Sequence, residues 1–209
     1  VLSIADYYYA IVLPKNEKDA VALTHISLLF LLTTTILVAL SVLFSTPISM
    51  IFKSPNLAKY YWLMPLYVLI MGMWNVLNYW YIRKKSFGRI SGYQMSQSIL
   101  SAGGKLGLGY ANVLQGGMIY ATVIAPFIAL LSSLLLSFRK TLRPLLFFSK
   151  IDVLTQARVY RNFPCFVLPR SFINVLAGQL PVLLLTPFFG AKYVGLLSMA
   201  VLLAYTPIG

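Results

Sequence analysis

Long apolar blocks broken by short basic stretches set the pattern of this chain. Five runs, 20–52, 60–82, 106–138, 171–191 and 193–209, contain no Asp, Glu, Lys or Arg. A helix needs about 20 apolar residues to cross the hydrocarbon core of a bilayer. The third run carries its own break, because Gly107, Gly109, Asn112, Gly116 and Gly117 crowd its start. A turn is predicted over 110–117, which makes 91–109 a separate helix containing Lys105. The predicted spans are 21–44, 60–82, 91–109, 118–138, 165–188 and 193–209, an all-α polytopic transmembrane bundle. The sequence starts at Val1 and stops at Gly209 inside an apolar run, which reads as an internal segment of a longer protein with its last span cut short.

Aromatic residues bracket the second span: Tyr60, Tyr61 and Trp62 open it, and Tyr79, Trp80 and Tyr81 close it. About 19 residues at 1.5 Å each separate the groups, roughly 28 Å, which matches a bilayer core, so both groups are predicted as interfacial anchors.

Composition supports the membrane reading. Hydrophobic residues make up 59% of the chain and charged residues only 10%, against about 25% in soluble domains. A soluble fold of this size lacks the polar surface to cover such a core. Of the charges, 17 are Lys or Arg and 4 are Asp or Glu. The basic residues lie between apolar blocks and point to membrane topology and anionic lipid, not nucleic acid. With six spans, twelve basic residues fall on one side: Lys15, Lys18, Arg83, Lys84, Lys85, Arg89, Arg139, Lys140, Arg143, Lys150, Arg158 and Arg161. Lys53, Lys59 and Lys192 fall on the other. The richer side is the cytoplasmic one. The longest loop mixes Leu145, Leu146, Phe147, Phe148, Ile151, Val153 and Leu154 with basic residues, and a helix lying on the cytoplasmic leaflet is predicted there.

The acids Asp6, Glu17, Asp19 and Asp152 all lie outside the predicted spans. No carboxylate pair is available within the membrane for acid–base work or to hold a cation. Cys165 and His25 are single, too few for a Cys/His zinc site, so no metal, cofactor or catalytic residue is expected. Cys165 reads as a small packing residue and His25 as an interface residue. No phosphate-binding glycine loop or N-glycosylation site occurs.

Two cations fall inside spans, Lys105 and Arg170. A charge at membrane depth costs a few kcal/mol and usually faces a cavity or a partner. With no acid nearby, either an anionic substrate meets them or they snorkel to the interface. Lys105 ends a polar stripe with Gln94, Gln97, Ser98 and Ser101, whose offsets share one helical face. That face lines an aqueous cavity or joins helices. Asn75 and Asn78 are three apart on the second span; Arg170, Asn174, Gly178 and Pro181 nearly share a face of the fifth. These amides suit interhelical hydrogen bonds or a cavity lining. Gly103 and Gly107 form a GxxxG pair that permits close helix contact. Pro65, Pro126, Pro169, Pro181 and Pro187 mark kinks or breaks in the spans.

Several segments together resemble the polysaccharide-biosynthesis branch of the multidrug/oligosaccharidyl-lipid/polysaccharide (MOP) flippase superfamily. They are Tyr9-Ala10-Ile11-Val12-Leu13-Pro14-Lys15 with Glu17 and Ala20, then Met64-Pro65-Leu66, Gly72 and Asn75-Val76-Leu77-Asn78-Tyr79-Trp80. Arg83-Lys84-Lys85-Ser86-Phe87 follows, then Gln97, Gly103-Gly104 and Leu106-Gly107-Leu108-Gly109. The series ends with Tyr160-Arg161-Asn162-Phe163-Pro164, Pro169, Asn174, Gln179-Leu180-Pro181, Phe189-Gly190 and Val194-Gly195. Arg170 departs from the pattern, which has a small polar residue there. The resemblance implies about six spans of a transporter with about 12 to 14 helices in two lobes. Residues 1–138 would be the later part of the N-terminal lobe, 139–164 a cytoplasmic amphipathic inter-lobe linker, and 165–209 the start of the C-terminal lobe.

The implied activity is non-enzymatic. A polyprenyl-diphosphate-linked oligosaccharide would pass from the cytoplasmic to the outer leaflet of a bacterial or archaeal cell (inner) membrane, for surface-polysaccharide assembly, with other polysaccharide-assembly proteins as candidate partners. The expected substrate-cavity residues are Lys105, Arg170, Gln94, Gln97, Ser101, Asn75, Asn78 and Asn174. A drug/cation antiporter of the superfamily would be expected to bury a carboxylate. A membrane-embedded polymerase or glycosyltransferase would be expected to need acids or His at the membrane edge. The sequence is poor in both.

Overall fold

In the computed structural model every element is helical among the described residues, which are 7–44, 59–110, 117–137, 145, 150–160, 165, 167–189 and 191–205. A 3-10 turn, Tyr7–Val12, leads into α1 (Glu17–Ser41). There follow α2 (Leu63–Arg83), α3 (Phe87–Tyr110), α4 (Gly117–Ser137), the short α5 (Lys150–Val159), α6 (Leu168–Phe189) and α7 (Ala191–Tyr205). Two of these helices are long and apolar enough to cross a membrane by length and composition, Glu17–Phe44 with its 3-10 end and Gly117–Ser137. Helix α3 ends at Tyr110 and α4 begins at Gly117, on either side of the expected turn, whose residues 111–116 lie outside the described set. Of the predicted 139–164 linker, residues 139–144, 146–149 and 161–164 also lie outside it.

Helix α2 is the hub, packing on α1, α3, α4 and the Tyr7–Val12 turn, while α6 and α7 pair mainly with each other. Ile70, Trp74, Leu77 and Tyr81 recur at helical spacing and are all buried, the stripe expected of a helix with neighbours on one side. Trp74 stacks on Tyr93 of α3 with ring centroids 3.3 Å apart. The Tyr81 hydroxyl lies 3.2 Å from Ser133 Oγ of α4. The expectation that Tyr79, Trp80 and Tyr81 anchor the span at the membrane surface is therefore corrected for two of them. Trp80 and Tyr81 are fully buried, because their face of α2 meets the rest of the bundle. Trp62 at the other end is 54% exposed, as an anchor would be.

Close helix contacts use glycine, in a register other than the expected one. A Cβ at Gly72 would lie 2.2 Å from Leu31 Cδ1, so α1 meets α2 there. Between α3 and α4 a Cβ at Gly104 would lie 3.3 Å from that of Ala121, and one at Gly117 3.0 Å from that of Leu108; Gly103 and Gly107 face open space. A Cβ at either member of the GxxxG pair would meet nothing within 4 Å among the described residues, whereas one at the glycine between them would.

Helix α1 resolves its own polar groups. Thr24 donates to Ala20 O at 2.8 Å, Ser27 to Leu23 O at 2.9 Å and Thr35 to Leu31 O at 2.8 Å. Hydroxyls that bond back to the preceding turn are tolerated where no water is available. Its acids Glu17 and Asp19 stand in the first turn, where the helix dipole favours negative charge.

Candidate functional site

The chemistry of the chain gathers at the two ends of α2. At its C-terminus the chain turns sharply, with Lys85 at φ 52° and Ser86 N donating to Tyr81 O at 2.9 Å. The Arg83 guanidinium reaches back to the segment before α1 and donates to the carbonyls of Ile11 (3.2 Å), Pro14 (2.6 Å) and Asn16 (3.1 Å). Backbone between a 3-10 turn and a helix start has carbonyls that no ladder serves, and a planar five-donor fork can serve several at once. Lys84 pairs with Glu17 at 2.5 Å. A cleft of 410 Å³ opens here, lined by Val12, Lys15, Glu17, Ile82, Arg83, Lys84 and Lys85.

Helix α5 and Leu145 join the same end. Gln156 Nε2 donates to Asp19 Oδ1 at 2.8 Å and the Tyr7 hydroxyl to Ala157 O at 3.3 Å. Burial pushes the Tyr7 phenol above its ordinary value, with the charge of Cys165 adding to the rise. His25 Nε2 lies 3.0 Å from Leu145 O. His25, read as an interface residue, also makes a tertiary contact with Leu145, beyond α4 in the chain, and Cys165 is exposed rather than packed.

Two cavities adjoin near the other end of α2. The larger, 880 Å³, lies between α1, α2 and α6 and is lined by Thr34, Leu37, Val38, Met64, Tyr67, Val68, Met71, Gly72, Asn75, Val175 and Gln179. The smaller, 480 Å³, lies between α2, α3 and α4 and is lined by Tyr60, Leu63, Met64, Tyr67, Lys105, Met118, Ile119, Thr122 and Val123. Met64 and Tyr67 belong to both walls. Among the described residues, no carboxylate lines either cavity.

The sequence-predicted site residues are thus distributed, not gathered. Asn75 lines the larger cavity and Lys105 the smaller. Asn78 turns inward: its Oδ1 is buried and, among the described residues, has no hydrogen-bond partner. Along α3, Gln97 and Ser101 are half-buried and Gln94 is exposed. Arg170 and Asn174 are exposed on α6 and line neither cavity. Three residues that matter were not singled out as site residues. Gln179 lines the larger cavity together with Asn75, Tyr67 lines both cavities, and Arg83 was read only as a topological charge. Gln179 adjoins the Asn174, Gly178 and Pro181 face of its helix, a signal that was available. No group of three His, Cys, Asp or Glu side chains suited to a metal gathers among the described residues.

Neither a curated protein nor a solved structure matches the chain. A family model described as "Polysaccharide biosynthesis protein" matches residues 9–209. That match spans nearly all of the sequence, from the Tyr9–Lys15 segment clasped by Arg83 to the end of the second helix pair, and the chain belongs to the polysaccharide biosynthesis protein family.

Proposed function

We propose that this chain is part of a flippase that carries a polyprenyl-diphosphate-linked oligosaccharide from the cytoplasmic to the outer leaflet, a transporter and not an enzyme. Helices α1, α2, α3, α4, α6 and α7 cross the membrane. The Arg83–Lys85 end of α2, the start of α1 and helix α5 face the cytoplasm, in keeping with the asymmetry of basic residues. Residues 1–138 belong to one lobe, 139–164 link the lobes, and 165–209 begin the second.

The observation that carries this reading is the 880 Å³ cavity between α1, α2 and α6, with Asn75 and Gln179 in its wall. It lies between the two proposed lobes, where alternating access requires a substrate site. Its amides match sugar hydroxyls, and its volume is in the range of sites that enclose sizeable ligands, about 300–1,000 Å³. The absence of acids from the spans favours an anionic cargo over a cationic one. Lys105 and Arg170 are the cations within the spans for the diphosphate to meet, Lys105 from the wall of the smaller cavity and Arg170 from outside both. Gln94, Gln97, Ser101, Asn78 and Asn174 contribute further polar contacts as the lobes move.

Transport in proteoliposomes tests the reading. A fluorescent diphosphate-linked lipid oligosaccharide is followed across the bilayer for the wild type, Asn75→Leu and Gln179→Leu. Each variant is expected to slow transport by about tenfold, the scale of one lost polar contact with a buried partner. Wild-type rates in both, or no transport by the parent protein, contradict it.

A further inference from the structure

We propose that the 410 Å³ cleft at the C-terminal end of α2 is a site for the phosphate headgroup of an acidic phospholipid, with Lys15 and Lys85 as the cations that meet it. The cleft shares no lining residue with either cavity, and the proposal does not depend on the flippase reading.

The cleft carries more positive charge than its own groups use. Lys15, Arg83, Lys84 and Lys85 line it against one carboxylate, Glu17. Arg83 is engaged by the carbonyls of Ile11, Pro14 and Asn16. Lys84 pairs with Glu17 and lies 5.4 Å from the centroid of the Trp80 ring. Lys15 and Lys85 are exposed, and neither has a hydrogen bond or ion pair among the described residues. Two lysines are thus left for an anion from outside, and a phosphate suits them.

The backbone holds both lysines in place. Arg83 bonds to the carbonyls on either side of Lys15, those of Pro14 and Asn16. Lys85 sits in a tight turn: its N–H donates to Ile82 O at 3.0 Å, and that of Ser86 to Tyr81 O at 2.9 Å. Its φ of 52° is in the left-handed region, where the end of a helix favours glycine and a side chain is strained. The helix dipole favours cations at this end, but Arg83 and Lys84 already supply them. A ligand that needs the charge accounts for a lysine in a position suited to glycine.

The surroundings favour a lipid over a soluble anion. Val12, Leu13 and Phe87, close in sequence to the two lysines, are 40%, 59% and 59% exposed. A free phosphate leaves these side chains in water, whereas a phospholipid covers them with its glycerol and upper chains. The volume is at the small end of ligand sites, about 300–1,000 Å³, which admits a headgroup and leaves the chains in the bilayer. Lysines near a membrane surface are drawn to anionic lipid.

Native mass spectrometry of the protein in a neutral detergent, titrated with phosphatidylglycerol or phosphatidylcholine, tests the site. Phosphatidylglycerol is expected to bind about tenfold more tightly. Lys15→Gln and Lys85→Gly are each expected to weaken it about fivefold, the scale of one lysine at an anionic lipid surface. Lys18→Gln, at an exposed position outside the cleft, is expected to change nothing. Lys85→Gly also separates binding from folding, because glycine suits the turn: without lipid, this variant is expected to melt no earlier than the wild type. Inorganic phosphate and glycerol phosphate, at the concentration of the lipid, are expected not to displace it. Equal affinity for the two lipids, an equal loss from Lys18→Gln, no loss from Lys15→Gln and Lys85→Gly, an earlier melt for Lys85→Gly, or displacement by either soluble phosphate overturns the proposal. No oligosaccharide enters these measurements. Failure of transport leaves the site standing, and failure of phosphatidylglycerol to bind leaves the flippase reading standing.

Discussion

The two ends of the α1–α2 pair are built differently. Where α1 begins and α2 ends, Leu23, Thr24, Trp80 and Tyr81 are fully buried, and Arg83 ties three carbonyls of the preceding segment to the pair. Toward the other end, Ile36, Leu37, Leu40 and Leu43 are all more than half exposed, and two cavities adjoin along α2. One sequence thus supplies a buried, hydrogen-bonded base and an exposed opposite end that borders cavities. Regions that rearrange are drawn from those with few buried contacts, and under the proposed function the exposed end is the one that moves.

The sharpest way to break the comparison is to remove the base. Arg83→Ala strands the carbonyls of Ile11, Pro14 and Asn16, and is expected to cost roughly 2–4 kcal/mol, since bonds from a charged donor contribute more than neutral ones. Thermal unfolding in detergent reads this, with Arg83→Lys recovering part of the loss because one donor group cannot serve three carbonyls. If Arg83→Ala unfolds no earlier than a change at exposed Lys18, the strength of that end lies elsewhere.

A smaller effect is expected where the two ends meet. Gly72→Ala places a methyl group against Leu31, which is itself only 1% exposed, and is expected to destabilise by about 1–3 kcal/mol through overpacking. Adding Leu31→Ala should recover part of that cost, because contacting residues couple. Additive losses in the double variant would mean that α1 and α2 do not meet at this point.

The smallest effect belongs to the ion pair at the base. Lys84 and Glu17 are 31% and 52% exposed, and such a pair contributes below about 1 kcal/mol. Glu17→Gln should therefore shift the melting temperature far less than Arg83→Ala, and raised salt should narrow the difference further. A loss equal to that of Arg83→Ala would make the base electrostatic and not hydrogen-bonded.

Much of the helix pattern is legible in the apolar runs, and the glycine cluster locates the break between α3 and α4 because glycine and asparagine disfavour a continuing helix. Long-range partners are not legible. A count of charges sees Arg83 as one more cytoplasmic cation, but its three acceptors lie 67 to 72 residues away in a segment whose carbonyls are freed only by the fold. His25 meets Leu145 across 120 residues for the same reason. Trp80 and Tyr81 mislead because aromatic residues serve equally at membrane surfaces and in cores. For Tyr81 the signal was its place in the repeat Ile70, Trp74, Leu77, Tyr81. Of the candidate site, Asn75 and Lys105 line cavities, but helical spacing alone does not reveal that these are two cavities, nor that Gln179 joins Asn75 in lining the larger one.

Thiol accessibility at Asn75 tests the central claim most directly. In a Cys165→Ala background, Asn75→Cys is treated with a membrane-impermeant thiol reagent in reconstituted vesicles, with and without a diphosphate-linked lipid oligosaccharide. Modification that is slowed by the lipid oligosaccharide, and not by a neutral glycolipid, is the predicted result. A thiol that never reacts, or reacts at the same rate whether or not the cargo is present, would mean that the space between α1, α2 and α6 is not the path.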